Sequence, residues 1–193
     1  MFLFFAIIEI GDIMNNVEIL YNILMEDNVV ESINENLGVV LMLIPELKPT
    51  IGFDHKHPHH HLDVWDHTLC ALAYSIKDFD VRLSLLLHDI GKPISYQEKD
   101  GIRRFKGHPK ASKKMTKQIL KRLGFNDLYN KKISYLVGEH DEPITNRDIN
   151  KYPELTKKRY EIQRCDTLAH HPEKLEKRVE YLNYIGEKIK VKS

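Results

Sequence analysis

The sequence predicts an all-α fold, a helical bundle with one short hairpin insertion near residues 94–107. Three observations carry that prediction. Apolar residues recur at helical spacing through most of the chain, and the stretches end at capping residues, glycine or proline. The one β-prone stretch is short and centred on Asp100-Gly101. The length of 193 residues, with 42% hydrophobic and 30% charged, suits one soluble domain able to bury a sizeable core. We take residues 17–193 as that domain and 1–16 as an N-terminal extension.

Taken in order, Val17–Met25 and Val29–Leu43 show helical spacing, the second broken by Gly38 and stopped by Pro45. A His/Pro-rich loop follows over Gly52–His61. Asp63 then caps a helix whose apolar stripe is Val64, Trp65, Leu69, Leu72 and Ala73. Asp80–Asp89 holds Leu83, Leu85, Leu86 and Leu87, apolar nearly all round, which suits a central buried helix ended by Gly91 and Pro93. Asp100-Gly101 marks the hairpin. Pro109 begins a basic amphipathic helix to about Leu123, closed by Gly124. Further helices are expected at Asp127–Glu139, Pro153–Ala169 and Pro172–Ile189.

The apolar start, Met1–Ile8, ends at Glu9 without a basic leader or a small-residue cleavage site. It falls far short of the ~20 residues that span a bilayer, so neither signal peptide nor membrane anchor is expected. Met14 is a second candidate start. Cys70 and Cys165 form no CxxC pair, which reads as a reducing compartment, and a cytoplasmic location is the expectation.

Net charge is +1, unevenly spread. Residues 1–91 carry 4 Lys/Arg against 14 Asp/Glu, residues 92–132 carry 13 against 3, and the remainder 12 against 11. The basic block is either a solvated helix face or a surface that raises the local concentration of an acidic or phosphorylated partner.

His88-Asp89 is a polar doublet at the end of the most apolar helix. Burying an imidazole and a carboxylate there costs free energy unless they pair or bind a metal. Both can reach one ion only near a helix end, which Gly91 supplies. Alone, such a doublet is more often a structural pair. His67 on the preceding helix and Asp166 among Ile162, Cys165 and Leu168 change that balance. Two imidazoles and two carboxylates from three helices make a nitrogen/oxygen site suited to Mn, Fe, Ni, Co, Zn or Mg. His108 and His140 are candidate ligands of a second ion.

These residues resemble a known family. His67…His88-Asp89…Asp166 follows the H…HD…D pattern of HD-superfamily metal-dependent phosphohydrolases, and His88-Asp89-Ile90-Gly91-Lys92 is its HDIGK form. Leu43-Ile44-Pro45-Glu46-Leu47, the His-rich loop leading into His67-Thr68, and Gly107-His108 are similar to the HD domain of bacterial tRNA nucleotidyltransferases, over roughly residues 37–170. The carboxylate pair and Gly-Ser turn of a nucleotidyltransferase catalytic domain are absent from this sequence. The resemblance thus implies a free-standing HD domain and does not imply CCA addition.

It further implies a divalent cation, as one ion or two, and hydrolysis of a phosphomonoester, cyclic phosphate or phosphodiester by metal-activated water. A phosphorylated small molecule, nucleotide or RNA end is the expected substrate. Asp89 is the expected proton acceptor, and Lys92 the catalytic cation on a phosphate oxygen, unless it is a solvated lysine at a helix end. Arg103, Arg104, Lys106 and His61 are candidate substrate contacts. Arg164 suits a structural ion pair, Trp65 and Cys70 the core. The alternative function is a nucleotide- or RNA-binding module with a structural or inactive metal site.

Overall fold

A computed structural model describes residues 15–57 and 61–190. His59 and His60 of the His-rich loop, and most of the expected N-terminal extension with Met14, lie outside the described residues. The all-α expectation holds. Eleven α-helices and one two-stranded hairpin make up the regular structure among the described residues, together with two short 3-10 turns.

The chain opens with α1 (Asn16–Leu24), started by a reciprocal capping box between Asn15 and Glu18. The expected Val29–Leu43 helix is two, α2 (Val29–Glu35) and α3 (Leu37–Leu43). The break falls at Asn36 and not at Gly38. The Asn36 side-chain amide donates to the Ser32 carbonyl at 2.8 Å, beside the Asn36 backbone N–H at 3.1 Å, whereas Gly38 is accommodated inside α3. A 3-10 turn at Pro45–Thr50 leads into the His-rich loop. Asp63 caps α4 (Val64–Ala73), and Asp78 caps α5 (Phe79–Leu87).

α5 is the central helix, packed by α1, α4, α8 and α10. Leu83, Leu85, Leu86 and Leu87 are essentially without solvent contact. Each such burial is worth roughly 1.5–3 kcal/mol, which explains why a helix of low amphipathicity occupies this place. α5 stops one residue before His88, and His88–Gly91 form a turn leading to the one-turn helix α6 (Lys92–Ser95).

Strands β1 (Gln97–Lys99) and β2 (Ile102–Arg104) pair antiparallel around Asp100 and Gly101, both with positive φ, as a two-residue primed turn requires. α7 (His108–Leu123) ends at Gly124 with φ +95°, as expected, and α8 (Asp127–Gly138) packs extensively on it. α9 (Asn146–Lys151) was not expected; six residues are too few to show a period, although the Thr145/Asp148 capping box marks its start. α10 (Pro153–Leu168) carries Asp166. The expected Pro172–Ile189 helix is a 3-10 turn at Pro172–Lys174 followed by α11 (Glu176–Lys190). A small cluster of Ile144, Ile149 and Ile185 with Tyr160 and Tyr181 seats α11 against α9 and α10.

Candidate metal centre and its cleft

Helix ends bring the polar residues together. His67 comes from α4, His88 and Asp89 from the turn after α5, His108 from the first turn of α7, His140 from just beyond α8, and Asp166 from the last turn of α10. All six are buried. Gly91 makes the convergence possible. Its N–H donates to Ser112 Oγ at 3.0 Å, and a Cβ there would lie 2.6 Å from Ser112 N and 2.9 Å from the His108 carbonyl. Only glycine lets α7 approach the His88-Asp89 turn this closely, and that approach delivers His108.

Each of the four imidazoles is oriented in the same way. Nδ1 of His67 faces the Ala169 carbonyl (3.2 Å), His88 the Leu85 carbonyl (2.7 Å), His108 the Phe105 carbonyl (2.9 Å) and His140 the Val137 carbonyl (2.6 Å). A carbonyl oxygen only accepts, so each Nδ1 carries a hydrogen and each Nε2 turns toward the centre. This is how protein surroundings fix imidazoles as metal ligands.

The carboxylates stand among these nitrogens. Asp166 Oδ1 is 2.9 Å from His67 Nε2 and 3.6 Å from His88 Nε2; Asp89 Oδ2 is 3.2 Å from His88 Nε2 and 3.7 Å from His67 Nε2. The other oxygen of Asp89 faces His108 (3.2 Å) and His140 (3.9 Å). His88 Nε2 and both Asp89 oxygens are buried without an aligned hydrogen-bond partner. Such atoms are costly to leave unpaired, and a divalent cation among His67, His88, Asp89 and Asp166 satisfies them. The donor set therefore fits the metal. His67, His88 and Asp89 are close enough to share one ion, and so are Asp89, His108 and His140. His108 and His140 present their Nε2 atoms to each other at 3.1 Å, an opposition of lone pairs that a shared cation or proton relieves.

The electrostatics agree. Burial would raise both aspartates, yet His88 and Lys92 hold Asp89, and His170 and His67 hold Asp166, well below the usual carboxylate range. Burial opposes charge on His88, but Asp89 and Asp166 together push its pKa up to about 10. Burial, then the neighbouring His88 and His108, lowers His140 to about 4. A proton on His88 thus offsets the two carboxylates until a cation does so.

Lys92 is buried, with Nζ 2.6 Å from Asp89 Oδ2, and so is not a solvated lysine. It lines an open cleft of about 950 Å³ whose base is Asp89 and Asp166 and whose wall carries Lys110, Lys113, Lys114 and Lys117 of α7. Arg103, Arg104 and Lys106 line the same cleft. Arg103 is anchored: it bonds Glu98 at 2.9 Å and the Asp54 carbonyl at 2.6 Å, with Phe53 and Tyr96 rings 4.6 and 4.8 Å from its guanidinium carbon. From the His-rich loop, His57 reaches the cleft lining. His61 is not among the lining residues; its ring meets His171, centroid to centroid at 5.5 Å. Trp65 is in the core, Cys70 packs against it, and Arg164 pairs with Glu161 at 2.5 Å, all as expected.

Four contributors were not singled out from sequence. Arg178 of α11 reaches Asp166 Oδ2 (3.2 Å), Asp141 Oδ1 (3.3 Å) and His170 Nε2 (3.4 Å). His170 stands four residues after Asp166, one helical turn on, a spacing that was readable. His55 lies behind Lys92, hidden among the loop histidines. Arg178 and Asp141 carry no sequence signal, because their partners are distant in the chain.

The family model described as HD domain matches residues 59–182. The chain belongs to the HD-domain family. This HD domain is similar to the CC-adding tRNA nucleotidyltransferase of Thermus thermophilus, 29% identical over 143 residues that cover 69% of this chain and 31% of that protein. It is also similar to the A-adding tRNA nucleotidyltransferase of Deinococcus radiodurans, 35% identical over 113 residues, covering 55% of this chain and 26% of that protein. The chain thus spans about a quarter to a third of the length of these curated relatives. No helix among the described residues is long and apolar enough to cross a membrane.

Proposed function

We propose that this HD domain is a metal-dependent phosphohydrolase that cleaves a phosphomonoester, cyclic phosphate or phosphodiester of a nucleotide or RNA end. The observation that supports it most is the set of imidazoles whose Nδ1 atoms are all held by backbone carbonyls, so that every Nε2 faces buried Asp89, and those of His67 and His88 face buried Asp166 as well, at the base of a basic cleft. His67, His88, Asp89 and Asp166 would hold the first cation, and His108 and His140, with Asp89, a second.

The chain's own residues divide the remaining work. Lysines along α7 gather the anionic substrate by long-range attraction, with Arg104 and Lys106. Lys92, held between Asp89 and the cleft, contacts a non-bridging phosphate oxygen and gains strength as negative charge develops there. Asp89 accepts the proton from the attacking water. Because its neighbours keep its pKa low, it is a weak base, so the water must itself be acidified, which is the chemistry a bound divalent cation supplies.

The test is a screen of the purified chain, supplied with one metal at a time, against phosphomonoester, cyclic phosphate and phosphodiester panels. Release of phosphate or alcohol that is lost in Asp89→Ala and restored to chelator-treated protein by metal is the expected result. The second reading, an RNA- or nucleotide-binding module, is favoured by the lysine face of α7 and by the tRNA named in both relatives. Tight RNA binding with no hydrolysis under any metal would establish that reading instead.

A further inference from the structure

One buried histidine has no part in the chemistry above. His55, in the loop before α4, has no solvent exposure. Its Nδ1 lies 2.9 Å from the Leu62 carbonyl, so Nδ1 carries the ring hydrogen and Nε2 offers a lone pair. That lone pair is 3.0 Å from Lys92 Nζ. An ammonium only donates, so His55 Nε2 accepts from Lys92 while Nδ1 donates to the Leu62 carbonyl.

The ammonium of Lys92 is held from two sides. It donates one of its three hydrogens to His55 Nε2 (3.0 Å) and pairs by charge with Asp89 Oδ2 (2.6 Å), so that a hydrogen remains for the cleft that Lys92 lines. The Phe105 ring, 5.5 Å from Nζ by its centroid, closes another side. A lysine side chain otherwise carries about 2 kcal/mol of rotamer entropy and a freely turning head group. With Asp89 alone as partner, the ammonium would be free to turn away from the cleft around that one contact.

We propose that His55 is a positioning residue, which accepts a hydrogen bond from Lys92 and so aims the remaining ammonium hydrogen at a phosphate oxygen in the cleft. The proposal rests on the phosphohydrolase reading for its kinetic consequence, but not for its structural one. The competing explanation is that His55 merely fills the space between His67 and Phe105, whose rings it meets at 5.6 Å each.

The experiment compares the metal-loaded full chain with His55→Gln, His55→Leu, Lys92→Met and the double variant His55→Leu/Lys92→Met. Glutamine places an amide oxygen near the former Nε2; leucine fills volume without an acceptor. His55→Leu should lose about tenfold in kcat with little change in KM, the size seen for groups that orient an active-site side chain. His55→Gln should recover most of that loss, and the double variant should be no worse than Lys92→Met alone. Equal losses in the Gln and Leu variants, or additive losses in the double variant, would show that His55 only fills space.

Two further readouts work without turnover. Binding of inorganic phosphate, by calorimetry, should weaken in His55→Leu and not in His55→Gln. Nitrogen-15 NMR of the histidines should show His55 as a neutral ring with hydrogen on Nδ1, and its Nε2 resonance should move in Lys92→Met. A hydrogen on Nε2, or unaltered phosphate binding in a folded His55→Leu, overturns the proposal. If His55→Leu does not fold, the tautomer and its response to Lys92→Met decide. If the wild type hydrolyses nothing, the phosphohydrolase reading fails while these two readouts still judge His55.

Discussion

Replacing Gly91 by alanine should displace α7 and loosen the His108-His140 half of the proposed metal centre. Gly91 has φ −84°, a conformation open to any residue, so the requirement is for space alone. The added Cβ would lie 2.6 Å from Ser112 N, 2.8 Å from Ala111 Cβ and 2.9 Å from the His108 carbonyl, where ordinary contact begins at 3.4 Å. The difference of 0.8 Å at Ser112 cannot be absorbed by a side chain, because the opposing atoms are mostly backbone. α7 must move by about that amount, taking with it His108, whose Nε2 is now 3.2 Å from Asp89 Oδ1. Overpacking of this kind costs roughly 1–3 kcal/mol. At ~2–4 °C per kcal/mol for a chain of this size, the melting temperature should fall by about 2–12 °C. Gly38→Ala is the control, since nothing lies within 4 Å of its Cβ inside α3, and it should gain ~0.5–1 kcal/mol from better helix propensity. Scanning calorimetry with metal analysis reads both effects. A Gly91→Ala protein with unchanged melting temperature and full metal content would refute the reasoning.

Three further outcomes follow from the same geometry. His140→Ala should lower the metal content of the saturated protein from two ions per chain toward one, by mass spectrometry, while Asp166→Ala should deplete the His67-His88 position. The pH dependence has a definite sign: His88 is raised from 6.5 to about 10, so in metal-free protein its contribution is fully present below 6.5 and lost as pH rises through 10. Thermal unfolding of chelated protein should therefore weaken across that window, and metal binding within it should release about one proton per ion at the first position, seen as a buffer-dependent calorimetric heat. Neutralising Arg104 and Lys106 together should raise KM with little change in kcat, an effect that fades with salt because exposed charges are screened over ~8–10 Å; KM insensitive to both would leave the basic block as a solvated face.

The site was legible where chemistry contradicted local pattern. His88-Asp89 after four leucines, and Asp166 inside an apolar stripe, are polar residues at positions built for burial, and burial demands a partner. The central helix was legible for the converse reason, an apolar run with no polar face. His55 was obscured by its neighbours: five histidines in seven positions read as surface loop, and only the fold shows that the first of them turns inward behind Lys92. Arg178 was illegible because an arginine on an amphipathic helix is ordinary, and its meaning comes from where α11 docks. The break falls at Asn36, whose side chain bonds back to the Ser32 carbonyl, and the position of the glycine does not report it.

The most direct test of the central claim is a crystal structure of the chain grown with Mn, with the anomalous signal collected at the metal edge. The account predicts an anomalous peak bound by His67 and His88 through Nε2 and by the carboxylates of Asp89 and Asp166. An imidazole of His67 or His88 bonded through its hydrogen to a carboxylate, with no peak among these four residues at saturating Mn, would contradict it.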